Sequence, residues 1–203
     1  MGFLSASFGL TRYRVLGEAD SELWEKIPGL LKKFSFNDID DVPDEVSFGW
    51  VSFDNMLDNK FELSSPFKGE YVCFSLRIDK RKIPPAVFKK YYQMAIQEVL
   101  GNEQGDVKYL SRAKKQEIRE NLRIKLLSKT LAVPSVTDVV WNFSKGILFL
   151  STTNKSTKEI FVELFQKTFN LPLQLITPYE MGKKLEQKLG IDLDKYQTDI
   201  YAV

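Results

Sequence analysis

The chain has 203 residues, a formal net charge of +2, and 43% hydrophobic and 28% charged residues. This composition is typical of soluble globular proteins with one or two domains, and it argues against disorder, collagen-like repeats and a membrane protein. Histidine is absent and Cys73 is the only cysteine. These absences exclude Ser-His-Asp and Cys-His nucleophile pairs, His-containing metal sites, all-Cys zinc sites and an intramolecular disulfide.

The first ten residues, MGFLSASFGL, lack the basic start of a secretory signal peptide. No apolar run approaches the roughly 18 residues that a membrane-spanning helix needs. The single cysteine fits a reducing compartment. We therefore expect a cytoplasmic protein without a membrane partner.

The first half of the chain alternates between strand and helix patterns. The predicted elements are a strand over residues 3–15, a helix from Ser21 capped by Asp20, a strand over residues 48–53 and a strand over residues 70–79. Pro28 is expected to kink or split the helix, because proline lacks the backbone N–H of a helix interior. In the last strand, apolar residues from Val72 to Ile78 alternate with polar ones, which predicts one buried and one exposed face.

The second half predicts more helix, and its elements again follow in a clear order. They are a helix from Pro84 and Pro85 to Gly101, a helix over residues 109–131, a hairpin of residues 136–143 and 147–152, a helix opened by a capping box from Ser156 to Glu159, a strand over residues 171–176, and a helix from the cap Thr177 to Gly190. This order predicts an α+β fold of antiparallel sheets with packed helices, including a C-terminal ββαβα unit.

Charge divides the chain into two regions. Residues 1–105 hold 13 lysines and arginines against 16 acids, a net of −3, whereas residues 106–203 hold 16 against 11, a net of +5. We therefore distinguish an N-terminal α+β region, residues 1–105, from a region of 106–203 that holds a basic helix and the ββαβα unit. One continuous domain is the alternative.

The basic helix carries the strongest functional signal. Between residues 108 and 129 there are eight bases and two acids. At about 100° per residue, five of the bases fall within an arc of roughly 80°: Lys108, Arg112, Lys115, Arg119 and Arg123. A regular basic stripe is typical of a protein that binds the phosphate backbone of nucleic acid, although a solvated helix face gives the same pattern.

A second basic cluster flanks the two prolines. It consists of Lys80, Arg81 and Lys82 before them and Lys89 and Lys90 after them. Two positive elements could share one surface. The sequence alone does not show whether they are adjacent.

Catalytic signals are weaker. A metal-dependent nuclease needs several carboxylates that converge on Mg²⁺, and the one dense supply is the set Asp38, Asp40, Asp41, Asp44 and Glu45. Their neighbours Asn37, Pro43 and Ser47 favour a solvated loop instead. Gly101 and Gly105 lack the Lys-Ser/Thr of a phosphate-binding loop. We expect no catalytic residues, no metal and no cofactor.

An ordered series of segments from Ile83 to about Tyr179 resembles the RdgC family of recombination-associated proteins. The segments are IPPAVFKKYYQMAI, a Lys/Arg-rich helix ending in LLSKTLAVPS, VVWNFSKGILFLSTTNKSTKEIFVELF, and LPLQLITPYE. The N-terminal strand and helix and Gly49-Trp50-Val51 fit more loosely. The order, the spacing and the hairpin with Trp141 carry the resemblance, because no single motif is diagnostic.

The resemblance implies a function that the basic helix could perform. Members of the family are cytoplasmic, nucleoid-associated proteins that bind double-stranded DNA without sequence preference and restrain a RecA-type recombinase. The resemblance also implies a ring-shaped homodimer whose positively charged central hole surrounds the duplex. The family is sometimes labelled an exonuclease. Its members are typically longer, and the part missing here lies after Gly190, so ring closure and dimerisation are the least secure expectations.

Three hypotheses follow for this chain. The first is a non-enzymatic, sequence-nonspecific DNA-binding protein that limits recombinase access through the two basic clusters. The second is a metal-dependent nuclease that uses the carboxylates between residues 38 and 45. The third is a protein-interaction module that keeps the family fold without encircling DNA.

Overall fold

The computed structural model describes residues 2–3, 5–17, 21–40, 42, 44–102 and 109–190. Its elements are, in chain order, β1 (Thr11–Val15), α1 (Ser21–Lys33), β2 (Val46–Ser52), β3 (Phe67–Lys68), β4 (Tyr71–Lys80), α2 (Pro85–Asn102), α3 (Arg112–Leu127), β5 (Val133–Asn142), β6 (Ile147–Leu150), α4 (Lys155–Phe169), β7 (Leu173–Leu175) and α5 (Pro178–Leu189). Within these ranges, no helix has the length and apolar character required to cross a bilayer.

All seven strands belong to one antiparallel sheet. Six of them follow the order β2-β4-β5-β6-β1-β7, and the short β3 pairs with β4 beside this path. β1 pairs with β6 and β7, so the sheet joins strands from both charge regions of the chain. The predicted α+β class, an antiparallel sheet with packed helices, is confirmed.

The core lies between one face of the sheet and the helices α1 and α4. Val72, Phe74 and Leu76 of β4 are fully buried there, as the predicted alternation requires. Trp50 and Trp141 are also fully buried. They lie on the two strands that flank β4. Burial of such large rings supplies much of the hydrophobic stabilisation of a core.

The aromatic rings of α4 fill the space against these tryptophans. The ring of Trp141 lies 5.5 Å, centroid to centroid, from those of Phe165 and Phe169. The indole Nε1 of Trp50 donates a 2.8 Å hydrogen bond to Oγ1 of Thr168. Because a buried indole N–H is costly without an acceptor, this bond fixes the position of α4 over β2.

The second face of β4 is more buried than the alternation predicts. Ser75 is fully buried and Cys73 is only 7% exposed. Ser75 donates to a carboxylate oxygen of Asp138 at 2.9 Å, and the other oxygen of Asp138 accepts from the backbone of Phe3 at 3.0 Å. The prediction of a half-buried strand was therefore wrong, since the N-terminal residues lie over this face. Burial raises the pKa of the Cys73 thiol.

Some predicted bounds also need correction in the first half of the chain. The strand expected over residues 3–15 begins only at Thr11, because the preceding small residues form a turn in which the Ser5 amide donates to the Gly2 carbonyl. α1 begins at Ser21 as predicted, and it continues through Pro28 without a split. The full burial of Ile27 and Leu31 on either side of Pro28 offsets the lost hydrogen bond. The expected cap, Asp20, lies outside the described residues.

Three helices in the second half, α2, α3 and α4, begin or end at positions other than the predicted ones. α2 continues past Gly101 to Asn102, and α3 spans Arg112–Leu127, which is shorter than the predicted 109–131. The side chain of Asn154 caps α4, so the capping box from Ser156 to Glu159 was wrong. By contrast, Thr177 caps α5 and Gly190 ends it in the left-handed conformation, as predicted.

The bounds of β5, β6 and β7 differ from the predicted ones by up to three residues. β5 begins at Val133, three residues before the predicted start, because it pairs with β4 over ten positions. β6 ends at Leu150 and β7 covers only Leu173–Leu175. The predicted hairpin and the strand after α4 are therefore present with different ends.

Gly49 provides a test of the packing between β2 and the segment that follows α1. A Cβ at this position would overlap the backbone of Phe36, which pairs with Trp50. We expect Gly49→Ala to lower the free energy of unfolding by about 1–3 kcal/mol, as overpacking does. Urea denaturation measures this value.

Gly29→Ala is the matched control for Gly49→Ala. A Cβ at Gly29, on an exposed turn of α1, meets no atom within 4 Å. Alanine favours a helix interior over glycine by roughly 0.5–1 kcal/mol. We therefore expect a small stabilisation, and equal losses in the two variants would contradict the packing argument.

Candidate nucleic-acid interface

The predicted basic clusters meet on a pair of helices, α2 and α3, which pack against each other. No residue of α2 from Pro85 to Gly101 is buried, whereas α3 buries Leu122, Leu126 and Leu127. The rings of Phe88 and Tyr92, one turn apart on α2, stack with centroids 6.1 Å apart. We call α2 and α3 the helix pair. Its outer surface is therefore largely open to solvent.

Two cations of the predicted stripe, both on α3, are free to bind an anion. Arg112 and Lys115 are exposed, and neither has an ion-pair partner among the described residues. Their helix begins where Ser111 accepts a hydrogen bond from the Lys114 amide at 3.1 Å. This cap places Arg112 in the first turn of the helix. Lys108, the first residue of the predicted stripe, lies outside the described residues.

Arg119 and Arg123, further along the stripe, have contacts within the protein. The guanidinium of Arg119 lies 5.8 Å from the centroid of the Phe88 ring. Arg123 donates to both carboxylate oxygens of Glu45, at 3.0 and 2.8 Å. These hydrogen bonds, followed by the charge of the carboxylate, raise the pKa of the Arg123 guanidinium.

The cluster before α2 contains two exposed lysines and one buried arginine. Lys80 and Lys82 are exposed, but Arg81 is only 8% exposed. The guanidinium of Arg81 donates to four backbone carbonyls, those of Val42 at 2.5 Å, Ile39 at 2.7 Å, Asp40 at 3.0 Å and Asp44 at 3.5 Å. Its Nε is buried without a partner. Arg81 therefore anchors the segment before β2 and is not part of the exposed surface.

The two lysines on α2 are both exposed. Lys89 and Lys90 follow Phe88 directly, and the Nζ of Lys90 lies 5.5 Å from the centroid of the Tyr91 ring. Because α2 and α3 pack together, these lysines share the helix pair with Arg112 and Lys115. Lys82 of the second cluster lines one cleft with Arg119 and Arg123 of the stripe, so these three cations lie near one another.

A cleft of about 540 Å³ lies at the base of the helix pair. Its lining includes Lys82 and Ile83 before α2, Phe88 of α2, and Arg119 and Arg123 of α3. The sequence analysis missed this cleft and the role of Glu45, because Glu45 and Arg123 are 78 positions apart.

The comparison with protein families identifies the relationship of this chain. The family described as "Putative exonuclease, RdgC" matches residues 9–189. The chain belongs to the RdgC family. No curated protein matches the sequence. The family match includes the whole helix pair and all seven strands of this RdgC-family protein.

The carboxylates between residues 38 and 45 do not form a metal site in the described part of this RdgC-family protein. No three His, Cys, Asp or Glu side chains are grouped there so that they could hold an ion. Asp38 accepts a hydrogen bond from the amide of Asp40, and Glu45 pairs with Arg123. Asp41 lies outside the described residues.

Substitution of Arg81 distinguishes an anchor from a DNA contact. We expect Arg81→Ala to lower the free energy of unfolding by about 3 kcal/mol, because it leaves buried carbonyls without donors. Lys82→Ala, at the exposed neighbour, should change it by less than about 0.5 kcal/mol. Thermal or urea unfolding measures both values. If Arg81→Ala keeps the stability of the protein but lowers its affinity for DNA, the anchoring role of Arg81 is contradicted.

Proposed function

We propose that this RdgC-family protein is a non-enzymatic, sequence-nonspecific double-stranded DNA-binding protein that limits the access of a RecA-type recombinase to DNA. We propose further that it acts as a homodimer associated with the nucleoid. The family relationship and the resemblance described above support the role in recombination. The chemistry of the helix pair supports binding to phosphate.

The observation that carries this proposal is the set of exposed cations on and beside the helix pair. It includes Lys82, Lys89, Lys90, Arg112, Lys115 and Arg119. None of these six forms an ion pair within the described residues. Lysines and arginines in this state neutralise phosphates and release the counterions that surround DNA. Contacts to phosphates carry no sequence information, which favours binding without sequence preference.

The salt dependence of binding tests the number of phosphate contacts. If about six phosphates are neutralised, log affinity should fall against log salt with a slope of about −5. Fluorescence anisotropy of a labelled random duplex across a salt series measures this slope. A second duplex of different sequence should give the same affinity. The absence of binding at low salt would leave the basic helix as a solvated face.

Charge reversal on α3 tests which surface binds DNA. We expect Arg112→Glu with Lys115→Glu to weaken binding to all duplexes alike and to reduce the steepness of the slope by about two, since two phosphate contacts are lost. Lys155→Glu with Lys167→Glu on α4 is the matched control, because it changes the net charge equally elsewhere. Equal weakening by both pairs would show that overall charge, and not the helix pair, determines binding.

Because the family is described as an exonuclease, nuclease activity requires an assay of its own. Linear duplex DNA is incubated with the protein and Mg²⁺, and released nucleotides are measured. Our proposal expects no release. Product that disappears in Asp40→Asn and Asp41→Asn would establish the metal-dependent nuclease instead.

A further inference from the structure

The cleft at the base of the helix pair has a chemistry that binding to duplex DNA does not use. Ile83, Pro85, Phe88 and Leu127 give it an apolar lining. Lys82 and Arg119 also line it, and neither has a carboxylate partner in the described part of the chain. An open apolar lining beside two unpaired cations is expected to bind a ligand that carries both apolar and acidic groups.

Arg123 shows that a carboxylate can bind at the wall of this cleft. Its guanidinium holds both oxygens of Glu45 in a two-bond arrangement. Such paired contacts are a preferred geometry between arginine and carboxylates. Arg119 lies four residues earlier on the same helix, and therefore on the same face. Its guanidinium contacts the Phe88 ring and no carboxylate.

We propose that the cleft binds an acidic peptide segment of a protein partner, with one apolar side chain against Phe88 and neighbouring carboxylates paired with Arg119 and Lys82. Charge complementarity and the apolar lining support this occupant. The volume, about 540 Å³, lies within the range of sites that enclose a small ligand. A duplex offers phosphates but no free apolar side chain, so it would leave this lining unfilled.

Two acidic residues line the cleft, and Glu45 is neutralised by its pair with Arg123, so Glu120 is the one that opposes an acidic ligand. Glu120 lies in the same cleft, and its carboxylate accepts a hydrogen bond from the side-chain Nε2 of Gln116 at 2.8 Å. It forms no ion pair within the described residues. Its charge should therefore weaken the binding of an acidic peptide, which gives a variant expected to increase affinity.

The direct test uses a fluorescein-labelled nine-residue peptide of aspartates and glutamates with phenylalanine and leucine at its centre. We expect it to bind the full chain at low salt, as measured by anisotropy. A peptide with serine in place of the two apolar residues should bind at least about tenfold more weakly, which corresponds to the loss of one buried apolar side chain. Equal binding of the two peptides would overturn the proposal.

Substitutions on α3 locate the peptide. Arg119→Gln should weaken peptide binding about threefold to fivefold, the range of a partly exposed ion pair. Lys115→Gln, outside the cleft on the same helix, is the matched control and should weaken peptide binding less than Arg119→Gln does, because Lys115 acts on the peptide only at a distance. Glu120→Gln should tighten it about twofold to threefold. A damaged fold does not increase affinity, so this last variant separates the proposal from misfolding.

Two further results would overturn the proposal. One is equal weakening by Arg119→Gln and Lys115→Gln, which would indicate nonspecific attraction to the basic helix. The other is displacement of the peptide by an equal concentration of a short single-stranded oligonucleotide, which would assign the cleft to nucleic acid. Duplex binding by the Arg112→Glu and Lys115→Glu variant is measured separately, so failure of the DNA proposal remains distinguishable from failure of this one.

Discussion

The hydrogen bonding of β4 on both edges is the constraint on which the rest of the structure depends. β2 pairs with it over seven positions and β5 over ten, so the register of all three strands is fixed together. A shift of one residue would turn Val72 and Phe74 away from the core and expose them. This strand therefore determines where α1 and α4 pack, and also where the chain leaves the sheet toward α2.

The exit from β4 determines the position of the helix pair. Arg81 follows the last residue of the strand, and its guanidinium joins that point to carbonyls that precede β2. Glu45, at the end of the same segment, pairs with Arg123 on α3. Two contacts between distant parts of the chain thus tie the base of the helix pair to one end of the sheet. The surface beyond them depends mainly on the packing of α2 against α3.

Periodicity predicted the parts of the fold whose burial depends on one neighbouring layer. The apolar face of β4, with Val72, Phe74 and Leu76, is buried as the alternation predicted, because this face packs against one helical layer. The burial of Ser75 and Arg81 was not predictable, because it depends on segments 63 and about 40 positions away. The sequence analysis grouped Arg81 with its neighbours by charge alone. Whether an arginine binds carbonyls or solvent is decided by tertiary contacts.

The number of basic residues is therefore a poor guide to how the basic helix attracts an anion. The ion pairs and the spacing of its cations are better guides. Glu117 neutralises Lys114, and Glu45 neutralises Arg123, so the count of eight bases overstates the number of free cations in the segment. The unpaired cations Arg112, Lys115 and Arg119 follow one another at intervals of three and four residues. Side chains at this spacing lie about 5–6 Å apart, which is less than the Debye length of about 8 Å at physiological salt. Their fields consequently act together on an anion, even though each is exposed and individually screened.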